Sequence, residues 1–230
     1  MLLTFLQMIQ QHADVATEII PYLVGLSLAM VCGITFHEFS HAFTAYQLGD
    51  MTPRYQGRLT LNPAAHLDPM GVLLFALAGF GWGRPVQFNP VRLRTNPRTG
   101  GALVAIAGPI ANILLGTVVG LSTRIMIGLQ VLPGTETWGI VLLNTLVYFV
   151  WFNFILAVFN LVPLPPLDGH HILPALLPAD MAYGLQSFYA RIGPYSLFAL
   201  LLILWYIPAA GNILTTPASA MMRLVLGFNF

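Results

Sequence analysis

From Ile19 to Leu48 the chain runs for thirty residues in which the only acidic or basic side chains are His37, Glu38 and His41. A helix of that length extends about 45 Å, against a hydrocarbon core about 30 Å thick, so it is tilted or protrudes. Asp14, Thr17 and Glu18 supply caps for its start, and Gly49 suits its end. Gly25, Ser27, Ala29, Gly33 and Ala42 are small enough to let other helices come close. Two histidines and a glutamate in such a helix are costly unless they face a wet cavity, a partner or a metal. Their presence implies chemistry.

The remainder is just as apolar. Of 230 residues, 57% are hydrophobic and 7% charged, which excludes an ordinary soluble domain. The sequence predicts an α-helical polytopic membrane protein with about five to six transmembrane or re-entrant helices. Residues 1–230 read as a single domain with its core at about 19–171, leaving no room for a separate soluble domain. A net charge of +1 gives no case for nucleic acid. The single cysteine, Cys32, excludes an intramolecular disulfide and reads as packing. All nine basic residues are arginine, and six of them, Arg54, Arg58, Arg84, Arg92, Arg94 and Arg98, fall between two long apolar runs. That bias puts the connections there in the cytosol, in a multi-pass protein of the cell membrane. Met1 to Leu6 is apolar without a charged leading region, and Gln7, Gln10, Gln11, His12 and Asp14 follow too soon for a full span. An interfacial or partly inserted helix is expected there, with no cleavable signal peptide.

Arg54 to Pro63 alternates like a strand broken by glycine and proline, and Arg84 to Arg92 is a second such stretch. Short extended or hairpin segments are expected at both, on the cytosolic side, with an edge able to pair with a substrate strand or serving as a plain connection. Between them Met70 to Phe80 is too short to span and reads as re-entrant. Gly101 to Gln130 is the next long span. Asn112, inside it, needs a partner, either another helix or the substrate. Leu132 to Glu136 turns the chain, and Trp138 to Leu161 returns it to the cytosolic side, where the first long helix also ends. Tyr195 to Ile207, opened by Gly193 and Pro194, and Ala218 to Phe230 are further apolar pieces.

His37 and His41 stand one turn apart on one helical face with Glu38 beside them, in an HExxH pattern. Two neutral imidazoles can take two tetrahedral positions on zinc while the adjacent carboxylate draws a proton from water. A second chemical stretch runs from Asn160 to His171, and its prolines at 163, 165 and 166 rule out a regular helix. Irregular backbone at membrane depth must line a cavity or be covered by protein. Asp168, set down there on the same side of the membrane as the HExxH, reads as the third zinc ligand; without a metal it would read as a loop or cap residue. His170 and His171 read as supporting or interfacial groups, and His66 as a loop histidine.

Three patterns together resemble the site-2 protease family of intramembrane zinc metalloproteases: HExxH at His37, Glu38 and His41; GxxxN at Gly108 and Asn112; and NxxPxxxxDG at Asn160, Pro163, Asp168 and Gly169. The stretch Gly57 to Pro63 is similar to compact prokaryotic members without PDZ or CBS domains. The resemblance implies one zinc ion held by His37, His41 and Asp168, with Glu38 as catalytic base. It also implies that Asn160 holds the substrate carbonyl or its oxyanion. The implied substrate is a membrane-spanning segment of another protein; the arginine bias puts access to the active site on the cytosolic side, and oligomerisation is left open. The competing reading is a non-proteolytic zinc-binding membrane protein, a carrier or degenerate homologue. A carrier would repeat ionisable ligands along several spans, and a degenerate homologue would lack Glu38 or Asp168.

Overall fold

The computed structural model describes residues 8, 10–11, 13–79, 81–131 and 136–227. The expected interfacial helix at 1–6 and the turn at 132–135 lie outside them. Asp14 opens the first helix by accepting from the Thr17 amide at 2.7 Å and its hydroxyl at 2.8 Å. A π-helical turn, Val15–Ile19, then leads into α1, Ile20–Gln47. After the short α2, Thr52–Tyr55, comes α3, Pro69–Ala78. The long helices α4, Pro97–Gly128, and α5, Thr137–Asn160, follow, then α6, Gly169–Leu176, α7, Ala179–Tyr206, and α8, Pro208–Leu226.

The helices α1, α4 and α5 pack on one another more extensively than any other elements. Small residues permit it. A Cβ added to Gly25 of α1 would lie 2.6 Å from the Thr145 carbonyl oxygen and 2.8 Å from Tyr148 Cβ, both on α5. On the other side of α5, Val147, Val150 and Phe154 bury themselves against Ala218, Met222 and Val225 of α8. Leu114, Val118, Leu121 and Ile125 of α4 lie 43% to 62% exposed along one helical face, a stripe suited to lipid.

Three helices are long and apolar enough to cross a membrane, Val15–Gln47, Pro97–Gly128 and Thr137–Asn160, and α7 makes a fourth if its two halves, bent by 80° around Pro194, count as one span. The expected total of five to six included shorter pieces. One of these, α3, is capped by Asp68, whose carboxylate accepts from the Met70 and Gly71 amides at 3.0 Å, and ends at Gly79 in the left-handed region. At ten residues it extends about 15 Å, half the hydrocarbon thickness.

The strand-like reading of 54–62 is corrected: no strand forms among the described residues. Proline 53 starts a helical turn instead, Gly57 reverses the chain at φ +70°, and Asn62 caps a 3-10 turn over Pro63–Ala65. The backbone groups close locally: the Gly57 amide donates to the Arg54 carbonyl at 3.0 Å, and the Thr60 carbonyl accepts from His66, while Arg58 donates to the carbonyls of Ala65 and Arg84. The second stretch is irregular backbone, tied by an isolated antiparallel bridge between Leu67 and Gly83 and by the Arg84 amide donating to the His66 carbonyl at 2.6 Å.

Close packing at Gly25 makes a direct prediction. Gly25→Leu should cost about 1–3 kcal/mol through overpacking, read as a lower midpoint in thermal unfolding of the purified protein. Gly128→Leu, where nothing lies within 4 Å, should leave the midpoint unchanged.

Candidate metal centre and its cavity

His37 and His41 lie in the second half of α1, buried to 6% and 7% exposure, with ring centroids 4.6 Å apart and planes nearly perpendicular. Asp168 comes from the proline-rich loop that precedes α6. Its Oδ2 lies 3.1 Å from His37 Nε2 and its Oδ1 3.3 Å from His41 Nε2. Among the described residues these three form the cluster able to hold a metal ion, with one ligand atom from each within 4.8 Å of the others.

The loop that delivers Asp168 is tied to α7 at two of its prolines. The Tyr189 hydroxyl on α7 donates to the Pro163 carbonyl at 2.8 Å, and Ser196 on the same helix donates to the Pro165 carbonyl. Gly169 follows Asp168 because the backbone there lies against the carbonyls of Leu161 and Val162, leaving no room for a Cβ. Gly108 of α4 meets the imidazoles in the same way: a Cβ there would lie 2.5 Å from His41 Nε2 and 2.6 Å from His37 Cε1.

The protonation of the two rings follows from their partners. His41 Nδ1 faces the Val104 carbonyl at 2.7 Å and must donate to it. His37 Nδ1 lies 2.7 Å from Asn112 Oδ1, and Asn112 is oriented by Nδ2 donating to the Gly33 carbonyl at 3.0 Å, so His37 also donates from Nδ1. A neutral imidazole has one N–H. Both Nε2 atoms therefore turn lone pairs towards a carboxylate, and Asp168 Oδ2 is buried with no hydrogen-bond donor. Three electron-rich groups in one buried spot repel one another unless a metal ion or a proton lies between them, and the cluster is able to hold a metal ion. Their separations fit one, since ligands about 2.0–2.1 Å from a tetrahedral zinc lie roughly 3.3 Å apart.

A cavity of about 350 Å³ opens beside these groups, and His37, Glu38, His41, Asn160 and Asp168 all line it. Glu38 is fixed by its Oε2, which accepts the Val86 amide at 2.9 Å. Asn160 donates one Nδ2 hydrogen to the Leu156 carbonyl of its own helix at 2.9 Å. Asn112 is fully buried behind His37 and is not on the cavity wall. His171 lines the cavity, whereas His170 donates to the Leu167 carbonyl; neither joins the three-residue cluster. His66 is buried and donates from Nε2 to the Thr60 carbonyl at 2.7 Å.

Sequence reasoning missed the part played by the segment 81–89, which supplies Trp82, Pro85 and Phe88 to the cavity as well as the Val86 amide. It also missed Asp50, fully buried, which anchors that segment by accepting from the Asn89 amide at 2.6 Å and from Thr52 at 2.6 and 3.0 Å. Burial raises the Asp50 carboxyl, and the bonds from Thr52 and Asn89 lower it by more. An aspartate directly after a helix-ending glycine was the available signal.

A profile of Peptidase family M50 matches residues 121–204. The chain is 38% identical over 205 residues to "Putative zinc metalloprotease YwhC" of Bacillus subtilis, covering 86% of this chain and 85% of that protein. It is 32% identical over 191 residues to "Putative zinc metalloprotease Rip2" of Mycobacterium tuberculosis, covering 78% and 66% respectively. No solved structure matches. With a buried His-His-Asp cluster in a helical membrane bundle and a metalloprotease relative along most of its length, the chain belongs to peptidase family M50, the site-2 proteases.

Proposed function

We propose that this chain is a zinc-dependent endopeptidase that hydrolyses peptide bonds in or near the transmembrane segments of other membrane proteins. The observation that carries this reading is the convergence of two Nε2 lone pairs and the Asp168 carboxylate on one buried spot, with Glu38 on the same cavity wall. His37, His41 and Asp168 hold one zinc ion per chain. When bound, zinc supplies a Lewis acid that acidifies water and polarises a carbonyl.

The chain's own groups divide the remaining work. Glu38 accepts a proton from the attacking water and passes it to the departing amine, with its carboxylate kept on station by the Val86 amide. Asn160 has a second Nδ2 hydrogen beyond the one given to Leu156, and it donates that hydrogen to the substrate carbonyl as charge builds on the oxygen. Phe75, Trp82, Phe88, Phe152 and Phe159 make the cavity apolar, which suits a segment drawn from a membrane. A helical substrate hides its peptide bonds in its own hydrogen bonds, so it enters unwound, and the irregular backbone of 81–89 offers it partners. The arginine-bearing connections stand on the cytosolic side, and water arrives from there. We count α3 as re-entrant and α7 and α8 as membrane-embedded, which gives five to six membrane elements in one domain over 1–230.

Glu38→Gln should keep zinc near one per chain in the purified protein while cleavage of a model membrane substrate falls by about 10²-fold or more. Undiminished cleavage rejects Glu38 as the base. Asp168→Ala or His37→Ala should lower the zinc content itself, and unchanged stoichiometry rejects the ligand set. Gly108→Ala, which touches no ion, should also lower zinc content by pushing both imidazoles aside.

A further inference from the structure

Behind the proposed metal site the three long helices meet at one polar junction. Asn112 of α4 accepts from His37 of α1 at 2.7 Å, and its two amide hydrogens go to the Gly33 carbonyl of α1 at 3.0 Å and to Oδ1 of Asn153 on α5 at 3.1 Å. Asn153 donates its own Nδ2 to the Phe149 carbonyl at 2.9 Å. Both asparagines are completely buried. There is no slack around them, because a Cβ on Gly33 would lie 2.9 Å from Asn153 Oδ1 and 3.4 Å from Asn112 Nδ2.

The direction of each bond is dictated by its neighbour. A backbone carbonyl only accepts, so Phe149 fixes which end of the Asn153 amide is Nδ2, and Oδ1 is left facing α4. Two acceptors, Asn153 Oδ1 and the Gly33 carbonyl, then hold the Asn112 amide nitrogen on their side and turn Asn112 Oδ1 towards His37. That oxygen keeps the His37 proton on Nδ1 and leaves the Nε2 lone pair pointing at Asp168. Were Asn112 to flip, its Nδ2 would face His37 Nδ1, the ring proton would move to Nε2, and the ligand atom would become a donor.

We infer that Asn153 is a positioning residue of the metal site: acting through Asn112 from a third helix, it selects the tautomer in which His37 can bind the ion. This rests on the zinc site proposed above. Asn153 sits two helical turns before Asn160, so α5 carries one asparagine on the cavity wall and another behind a ligand. Partners of this kind commonly govern metal affinity by about 10- to 100-fold.

The test is zinc affinity of the full-length purified chain, measured by competition with a chromophoric chelator, together with the visible spectrum of the cobalt-substituted protein. Asn153→Leu should weaken zinc binding by about 10-fold or more and alter the cobalt spectrum. Asn153→Asp, which keeps an acceptor for Asn112, should recover most of the loss. Thr145→Val removes a buried hydroxyl bonded to the Val141 carbonyl of the same helix and should leave affinity unchanged. In an Asn112→Ala background, Asn153→Leu should add nothing. Wild-type affinity and spectrum in Asn153→Leu, or losses at the two positions that simply add, overturn the inference. If the leucine variant does not accumulate, Asn153→Ser carries the same comparison. A wild-type chain that binds no zinc sinks the metal-site reading and this one with it, whereas tight wild-type binding indifferent to Asn153 sinks this one alone.

Discussion

Two imidazoles whose Nδ1 protons are committed to Asn112 and to the Val104 carbonyl can offer Asp168 only lone pairs, and an ionised carboxylate has only lone pairs to return. In water such a cluster would spread apart or take up protons. Here it is enclosed by α1, α4 and the loop before α6, with little solvent to soften the repulsion. A cation at that point turns the arrangement from unfavourable to strongly favourable. The surrounding features make sense as ways of keeping three ligand atoms together: the missing side chain at Gly108, the missing side chain at Gly169, and the bonds from Tyr189 and Ser196 to the proline loop.

The same enclosure separates binding from access. The ligand atoms are held on their inner side by buried bonds between helices, where a shift of one ångström would meet packed side chains. On the outer side they face a cavity roofed by irregular backbone between residues 81 and 89, which is pinned at one end by Asp50 and touches Glu38 through a single amide. The candidate ligands and the cavity's irregular roof belong to different elements.

Much of the metal site was legible because its chemistry is unusual in lipid. His37, Glu38 and His41 stand out in a long apolar helix, and Asp168 follows a run of prolines that no helix tolerates. The long helices α1, α4 and α5 were legible for the complementary reason, uninterrupted apolar length. The segments 54–63 and 84–92 were not, because alternation of apolar and polar residues does not distinguish a strand from a chain that closes into helical and 3-10 turns at its prolines. Asn112 announced a need for a partner without naming it, and its link to His37 depends on how two helices far apart in sequence happen to face. Asn153 was silent for the same reason.

The carboxylate that completes the set is encoded far downstream of the two imidazoles, and the groups that seat it, Tyr189 and Ser196, are encoded later still. A ribosome threading this chain into a membrane thus exposes the histidines first and the finished cage last. If the three groups are the ligand set, the cage cannot close until α7 has been made, and the closing stitch comes from that late helix.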